Sequence, residues 1–416
     1  MKDSPSKLKV LITNTLMLYL LQFSTYLFSF LTIPYQTRIL GPQLFGVLGV
    51  ALAVMSYFQL FLDFGFMLSA TEEIAENRDD KSFISKKILS VAVIKLTFTI
   101  VSFLILGLML KFIKPLREYR LLYIIYLSAF SVNSFLPDYL FRGIEKMSAV
   151  TLRTVFVKLF TCLLTFVFLK EQSDYIVIPV LMLLGNLGAV LWAYLYIFKV
   201  MKMPVERITV GIVFNDFKRS AFFFLSRIAT TVYNATNTVI LGFVDKSGIS
   251  TGYYTSADKL LSTAKSGLSP VSDSIYPYMV RNKDFKLIRK ILLVLEPVII
   301  AGCVFTGIFA EPICSLLFGK AFAPSSKILI AFLPAIAAIL PNYLLGFPTL
   351  SAISLSRIAN TSILAGSFIH IAGLLILFLT NGLSAVNLAM MTSVSECSIL
   401  LFRITAVIKN RNRFRG

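Results

Sequence analysis

Apolar stretches of about 20 residues recur along this 416-residue chain, and no other feature limits its fold so strongly. At about 1.5 Å of rise per residue, a helix of that length crosses a hydrocarbon layer of about 30 Å. Twelve such runs are present, at 10–33, 44–68, 88–110, 121–141, 150–169, 175–198, 219–243, 252–278, 288–310, 328–350, 358–380 and 384–408. Only 15 % of the residues are charged, against about 25 % in ordinary globular domains, so a soluble core could not absorb the 57 % that are hydrophobic. The expected fold is an all-α polytopic membrane protein of about twelve transmembrane helices. The first run is too long, and too free of a small-residue cleavage site, for a removable signal peptide.

The formal net charge of +19 does not point to nucleic acid, because the cations follow topology. With the N-terminus in the cytoplasm, the inner segments hold 25 lysines and arginines and the outer ones nine. That bias obeys the positive-inside rule and predicts that both termini are cytoplasmic. Only the connection after the third run, with Lys111, Lys114, Arg117 and Arg120, runs against it.

A polar segment at 199–218 divides six runs from six, which predicts an N-terminal lobe at 1–206 and a C-terminal lobe at 207–416. The halves echo each other. Thr37-Arg38-Ile39-Leu40-Gly41 returns as Thr238-Val239-Ile240-Leu241-Gly242, and a glycine opens the next run in each copy, Gly46 and Gly252. The lag grows from 201 to 206 residues, so the second copy carries a five-residue insertion. Six spans per half keep the two copies parallel, a known transporter plan with the site between the repeats. Arg38 has no counterpart in the second copy. It reads as an interfacial arginine reaching for the membrane surface, or as a cation at the outer mouth of a groove.

Polar residues inside the runs fall on helical faces. Thr151, Thr154, Lys158, Thr161 and Thr165 share one face of the fifth span, and Arg227, Thr231, Asn234 and Thr238 one face of the seventh. Asp258, Ser262, Lys265, Ser269 and Asp273 line the eighth, and Thr15, Tyr19, Gln22, Tyr26 and Ser29 the first. A single such stripe reads as interhelical packing, since Ser and Thr are common there in membranes. Four stripes, three of them with charges, point to a hydrated path, because a charge near the bilayer centre costs about 3 kcal/mol or more. The cations Lys158, Arg227 and Lys265, with Asn234, are therefore candidates for substrate contact. The acids Asp63, Asp273, Glu296 and Glu396 are candidates for a coupling cation. Arg403 reads as a residue reaching for the inner face.

The four cysteines lack paired spacing and read as small buried hydrophobes. One histidine, with no Cys/His cluster or phosphate loop, leaves no cofactor or resident metal to expect.

The stretches "TRILGPQLFGVLGVALAVMSYFQLFLDFG" (37–65), "FRGIEKMSAVTLRTVFVKLF" (141–160), "GYYTSADKL" (252–260) and "SLLFGKAFAPSSKIL" (315–329) lie in one order over almost the whole chain. Together they resemble the bacterial polysaccharide repeat-unit flippases, of the superfamily that also holds multidrug (MATE-type) exporters and the peptidoglycan-precursor flippase. The resemblance implies a two-lobed, twelve-helix transporter of the bacterial cytoplasmic membrane that works by alternating access. Its cargo would be an undecaprenyl-diphosphate-linked oligosaccharide, moved from the inner to the outer leaflet for surface polysaccharide such as O-antigen. Polymerase and glycosyltransferases would be its working neighbours. Carried over by position, Arg142, Glu145, Lys146, Arg153 and Lys158 match the second motif, which adds Arg142 and Arg153 to the substrate candidates.

A drug/cation antiporter of the same superfamily is the nearest rival, although organic cations favour an acidic or aromatic cavity. A membrane glycan polymerase or ligase needs positioned acid/base groups, commonly on a large external loop, and the chain offers neither. Its expected role is transport without catalysis.

Overall fold

The computed structural model describes residues 7–410, with side chains described except at 7–12, 225–227, 229–234 and 277. Among the described residues all regular structure is helical, and nine helices are long and apolar enough to cross a membrane. One of those segments, Thr13–Glu76, contains two of the expected spans. The expected spans at 219–243 and 252–278 are the helices Val210–Val244 and Ile249–Asn282, which stand outside those nine. The expected twelve are thus recovered. Large apolar side chains face outward, with Phe112, Phe222, Leu316 and Phe368 all more than 70 % exposed. Such a surface is stable only against hydrocarbon, so the chain is a multi-pass membrane protein.

Local chemistry explains the breaks. Pro42 disfavours the α conformation in the residue before it, and Gly41 answers with φ 69°, ψ 176° inside the helical stretch Lys7–Asp63. Carboxylates or a hydroxyl start three later helices. Asp80 accepts from the Phe83 N–H (2.9 Å), Asp284 from Leu287 (3.1 Å) and Ser384 from Asn387 (3.2 Å). Beside Pro334, in Ser325–Leu345, the Ser393 hydroxyl enters the helical ladder. It accepts from the Ala335 N–H at 3.3 Å and donates to the Ala331 carbonyl at 2.5 Å, bridging one turn of that helix.

The chain forms two compact units, one comprising residues up to Ile39 and Ala51–Thr231, the other Leu40–Val50 and residues from Val232 on. They depart from a division at 206/207 by two segments. The opening half of Val210–Val244 belongs to the first unit, where ion pairs and rings hold it. Lys87 Nζ pairs with Glu73 at 2.7 Å and with Asp216, and Arg219 lies 3.5 Å from Glu73. The hydroxyls of Ser69 and Ser220 are 2.7 Å apart, and Phe64 stacks on Phe217 and Phe224 at 5.0 and 4.7 Å.

In exchange, 40–50 belongs to the second unit, where the repeat meets its own copy. A Cβ at Gly46 would lie 2.1 Å from the Gly248 carbonyl oxygen and 2.7 Å from the Gly252 nitrogen. One at Gly252 would lie 1.9 Å from the Pro42 carbonyl oxygen. These equivalent glycines allow two backbones to touch, as small residues do between membrane helices. The insertion in the second copy makes the loop 245–248, which Asp245 closes by accepting from the Ser247 hydroxyl (2.6 Å) and the Thr251 N–H (2.8 Å).

Candidate functional site

The first unit contains a cavity of about 440 Å³. Its walls come from the Lys7–Asp63, Met147–Phe168 and Val177–Leu195 helices and from the 133–138 turn. Gly185 lets two of these walls close together, since a Cβ there would meet Thr161 and Val157 at 2.9 Å. The fifth-span stripe faces the cavity with Thr154, Lys158, Thr161 and Thr165, as its period predicts. Thr151, at the stripe's start, is instead buried and donates to the Met17 carbonyl (2.9 Å).

Two cations line this space. Lys158 is half-buried, and its Nζ donates to Thr25 Oγ1 at 2.8 Å. The Arg153 side chain is 3 % exposed and pairs through Nη2 with Asp138 at 2.9 Å. Its Nε and Nη1 have no hydrogen-bond partner among the described residues, although both are buried. An unsatisfied buried donor costs about 1–3 kcal/mol, and more when charged, and both nitrogens are closed to solvent, so an acceptor reaches them only when neighbouring side chains move aside. Ser29, Thr32, Asn133 and Asn186 add hydroxyls and amides. The cavity is cationic and rich in neutral hydrogen-bonding groups, which suits an anionic, polyhydroxylated ligand.

A smaller pocket of about 100 Å³ shares Asn133, Leu136 and Asp138 with the large one and is also lined by Gln59, Asp63, Lys95 and Tyr139. Among the candidates, Asp63 is found here, beside Lys95.

The second unit holds a different polar cluster. Lys265 Nζ pairs with Glu396 at 2.6 Å, and Asn342 Nδ2 donates to the other Glu396 oxygen at 3.0 Å. Arg403 is 5 % exposed and donates to the Asn342 carbonyl and to Ser362 (2.9 Å), so it is a buried crosslink and does not reach for the membrane surface. His370 bridges Ser395 and Asn237, each at 3.0 Å. Lys265 and Glu396, expected to serve substrate and cation separately, are thus partners of each other.

The remaining candidates are dispersed. Arg38 and Arg142 are exposed, and Asp273 is exposed and accepts from Ser269 at 3.0 Å. Glu296 is half-buried, with Oε2 lacking a partner among the described residues. The side chains of Arg227 and Asn234 lie outside the described residues. The first-span stripe is shifted in phase. Thr15, Tyr19 and Gln22 are exposed, while Thr25, Ser29, Thr32 and Gln36 meet the cavity. Asn133, Asp138 and Asn186 were not among the candidates. A lone amide within the apolar run 175–198 is itself a signal that could have marked Asn186.

The "FRGIEKM" motif is a structural corner. Gly143 packs where a Cβ would lie 2.6 Å from Ile74, and Glu145, at φ 60°, pairs with Arg78 at 2.7 Å. All four cysteines are free thiols, and no group of three or more His, Cys, Asp or Glu among the described residues could hold a metal ion.

Comparison with known proteins agrees with this architecture. Two curated relatives carry the provisional name O-antigen transporter. One, from Shigella dysenteriae, is 28 % identical over 345 residues, 80 % of this chain and 85 % of its own. The other, from Escherichia coli K12, is 27 % identical over 285 residues, 68 % of each chain. The lipid II flippase MurJ, in an inward closed conformation, superposes with a TM-score of 0.73 at 16 % identity, covering 97 % of this chain and 89 % of its own. An inward-facing multidrug resistance MATE family transporter of the MOP superfamily gives 0.68 at 13 %, covering 93 % and 94 %. At those identities the likeness is one of fold. The profile of the polysaccharide biosynthesis protein family matches residues 11–283, two thirds of the chain, and it is to this family that the protein belongs.

Proposed function

We propose that the protein flips undecaprenyl-diphosphate-linked oligosaccharide repeat units from the inner to the outer leaflet of the bacterial cytoplasmic membrane. The observation that carries this reading is the large cavity, which Arg153 and Lys158 line with positive charge among Ser, Thr and Asn side chains. Cations of this kind stabilise a diphosphate through charge-assisted hydrogen bonds, while Ser, Thr and Asn groups bond sugar hydroxyls with little selectivity. At about 440 Å³ the cavity suits the headgroup and its first sugars, and the lipid tail stays in the bilayer. The names of the curated relatives support a surface-polysaccharide cargo.

The cycle is alternating access between an N-terminal lobe, about 1–206, and a C-terminal lobe, about 207–416, with 40–50 moving with the second and the start of Val210–Val244 with the first, and both termini cytoplasmic. Outward movement of an anion is favoured by about 2.3 kcal/mol per charge per 100 mV when the cytoplasm is negative. Of the four acids considered for a coupling cation, Glu296 is retained, because its unpartnered buried oxygen is unlike the paired Glu396 and the exposed Asp273. The product leaves for glycan-assembling enzymes, and this chain transports without catalysis.

Purified protein in vesicles containing a defined lipid-linked oligosaccharide tests the assignment. The expected result is transfer of the headgroup across the bilayer, with no accelerated efflux of cationic dyes. Dye efflux without headgroup transfer would instead identify a drug exporter.

A further inference from the structure

The connection from Lys111 to Arg120 is the stretch whose cations run against the charge bias of the chain, and the proposed function does not use them. It joins the spanning segments Lys81–Phe112 and Arg120–Gly143. One of its four cations has a structural task. Arg117 donates through Nε to the Leu110 carbonyl at 3.3 Å and through Nη2 to the Lys111 carbonyl, groups left without helical partners where Lys81–Phe112 ends. Leu116 is 1 % exposed, and Tyr119 meets Tyr175 edge-on with ring centroids 6.1 Å apart, so packing also fixes the connection.

Lys111, Lys114 and Arg120 have no such task. All three are exposed, and among the described residues none of their charged groups makes an ion pair or a hydrogen bond. Glu118, the acid of this stretch, is exposed and pairs with none of them. Arg120 opens a helix, where the aligned peptide dipoles disfavour a cation. The surroundings of these charges face lipid. Leu108, Phe112 and Leu121 are 58, 72 and 54 % exposed, and the Lys111 ammonium lies 5.6 Å from the centre of the Phe112 ring. Apolar exposure of that size is stable against hydrocarbon, so the three cations stand where acyl chains give way to headgroups. Long cationic side chains at that level reach headgroup phosphates, and basic segments beside a span attract anionic lipid.

We propose that Lys111, Lys114 and Arg120 form a docking site for the headgroups of anionic phospholipids. Arg117 and Leu116 hold the backbone, and the other three cations present their charge to the phosphates. This inference is independent of what the large cavity carries and of which leaflet the connection meets.

Quenching of tryptophan emission by brominated lipid tests it in the full-length protein. The reporter carries Phe112→Trp with Trp192→Phe. Wild type, with Trp192 as its one tryptophan, is the control, since that residue lies near the far end of Val177–Leu195 from Tyr175. Both are reconstituted in phosphatidylcholine with a minor fraction of phosphatidylglycerol, equal numbers of one lipid or the other carrying bromine on their acyl chains. Brominated phosphatidylglycerol should quench the reporter at least about twofold more than brominated phosphatidylcholine. Adding Lys111→Gln, Lys114→Gln and Arg120→Gln should abolish that excess and leave the quenching of Trp192 unchanged. If the triple variant does not reconstitute, high salt must remove the excess in the parent reporter, because exposed charges are screened. Equal quenching of the reporter by the two lipids overturns the proposal. So does an excess that survives the triple substitution or high salt, or an equal loss at Trp192.

Discussion

Replacing Gly252 by alanine adds one methyl group, and the structure puts it where no methyl fits. The new Cβ would lie 1.9 Å from the Pro42 carbonyl oxygen and 2.7 Å from its carbon. Real Cβ atoms essentially never come within 3.0 Å of a neighbour, so the two backbones must part by at least 1.1 Å, from 1.9 to 3.0 Å. Both obstacles are main chain, and no rotamer change relieves them. Overpacking costs about 1–3 kcal/mol where side chains can adjust, so about 3 kcal/mol is expected here. For a unit of this size that lowers the melting midpoint by roughly 6–12 °C. Gly107→Ala is the matched control. Nothing lies within 4 Å of its added Cβ, and glycine inside a helix is about 0.5–1 kcal/mol worse than alanine, so that variant melts at or slightly above wild type. Thermal unfolding of the purified proteins, followed by dye binding or tryptophan fluorescence, reads both. Gly46→Ala breaks the same contact, and the Gly46/Gly252 double variant loses less than the sum. If Gly252→Ala melts with wild type, the two repeat copies do not touch as described.

Three further outcomes follow from the side-chain partners. The Arg78–Glu145 pair is 44 % and 46 % exposed, so Glu145→Ala costs under about 1 kcal/mol and leaves glycan export intact, which complementation of an export-deficient strain checks. Glu396→Ala removes the ion pair of Lys265 and one of the two bonds of the Asn342 amide and costs about 3 kcal/mol by thermal unfolding, while Glu396→Ala/Lys265→Ala recovers part of that loss. At Asp245, burial pushes the carboxyl up, but hydrogen bonds from Ser247 and Thr251 outweigh it and hold it below the usual carboxylate range. A depressed folded value means that the carboxylate's contribution is complete above about pH 4 and fades as pH falls through that value. The protection of the Thr251 amide against hydrogen exchange, relative to an unfolded chain at the same pH, should therefore fall in acid in wild type, and be low already at pH 7 in Asp245→Ala.

The spans and the repeat were legible because both depend on local pattern. Twenty apolar residues need a bilayer whatever their neighbours are, and a Gly-Pro pair breaks a helix from within. The fifth-span stripe was legible for the same reason, since one charged residue among threonines defines a face. The first span shows the limit of that logic. Thr15, Tyr19 and Gln22 keep helical spacing as faithfully as Thr25, Ser29 and Thr32 do, and periodicity alone does not say which face meets a neighbour. Pairing across distance was not legible either. Lys265 and Glu396 are far apart in sequence, and each alone reads as an unpaired intramembrane charge. Arg142 and Glu145 carried the resemblance to the family, yet their motif proves to be a corner, while Arg153, twelve residues into the same stretch, faces the cavity.

The central claim is that the cationic cavity of the first unit holds the diphosphate headgroup during flipping. The direct measurement is the initial rate of headgroup transfer in vesicles for wild type, Lys158→Met and Lys158→Arg, each at matched protein content and melting midpoint. A hydrogen bond to a charged group contributes about 1.5–3 kcal/mol, so Lys158→Met should slow transfer about 10- to 100-fold, while Lys158→Arg keeps most of the rate. Wild-type transfer by Lys158→Met, retained when Arg153→Gln is added, would place the headgroup elsewhere.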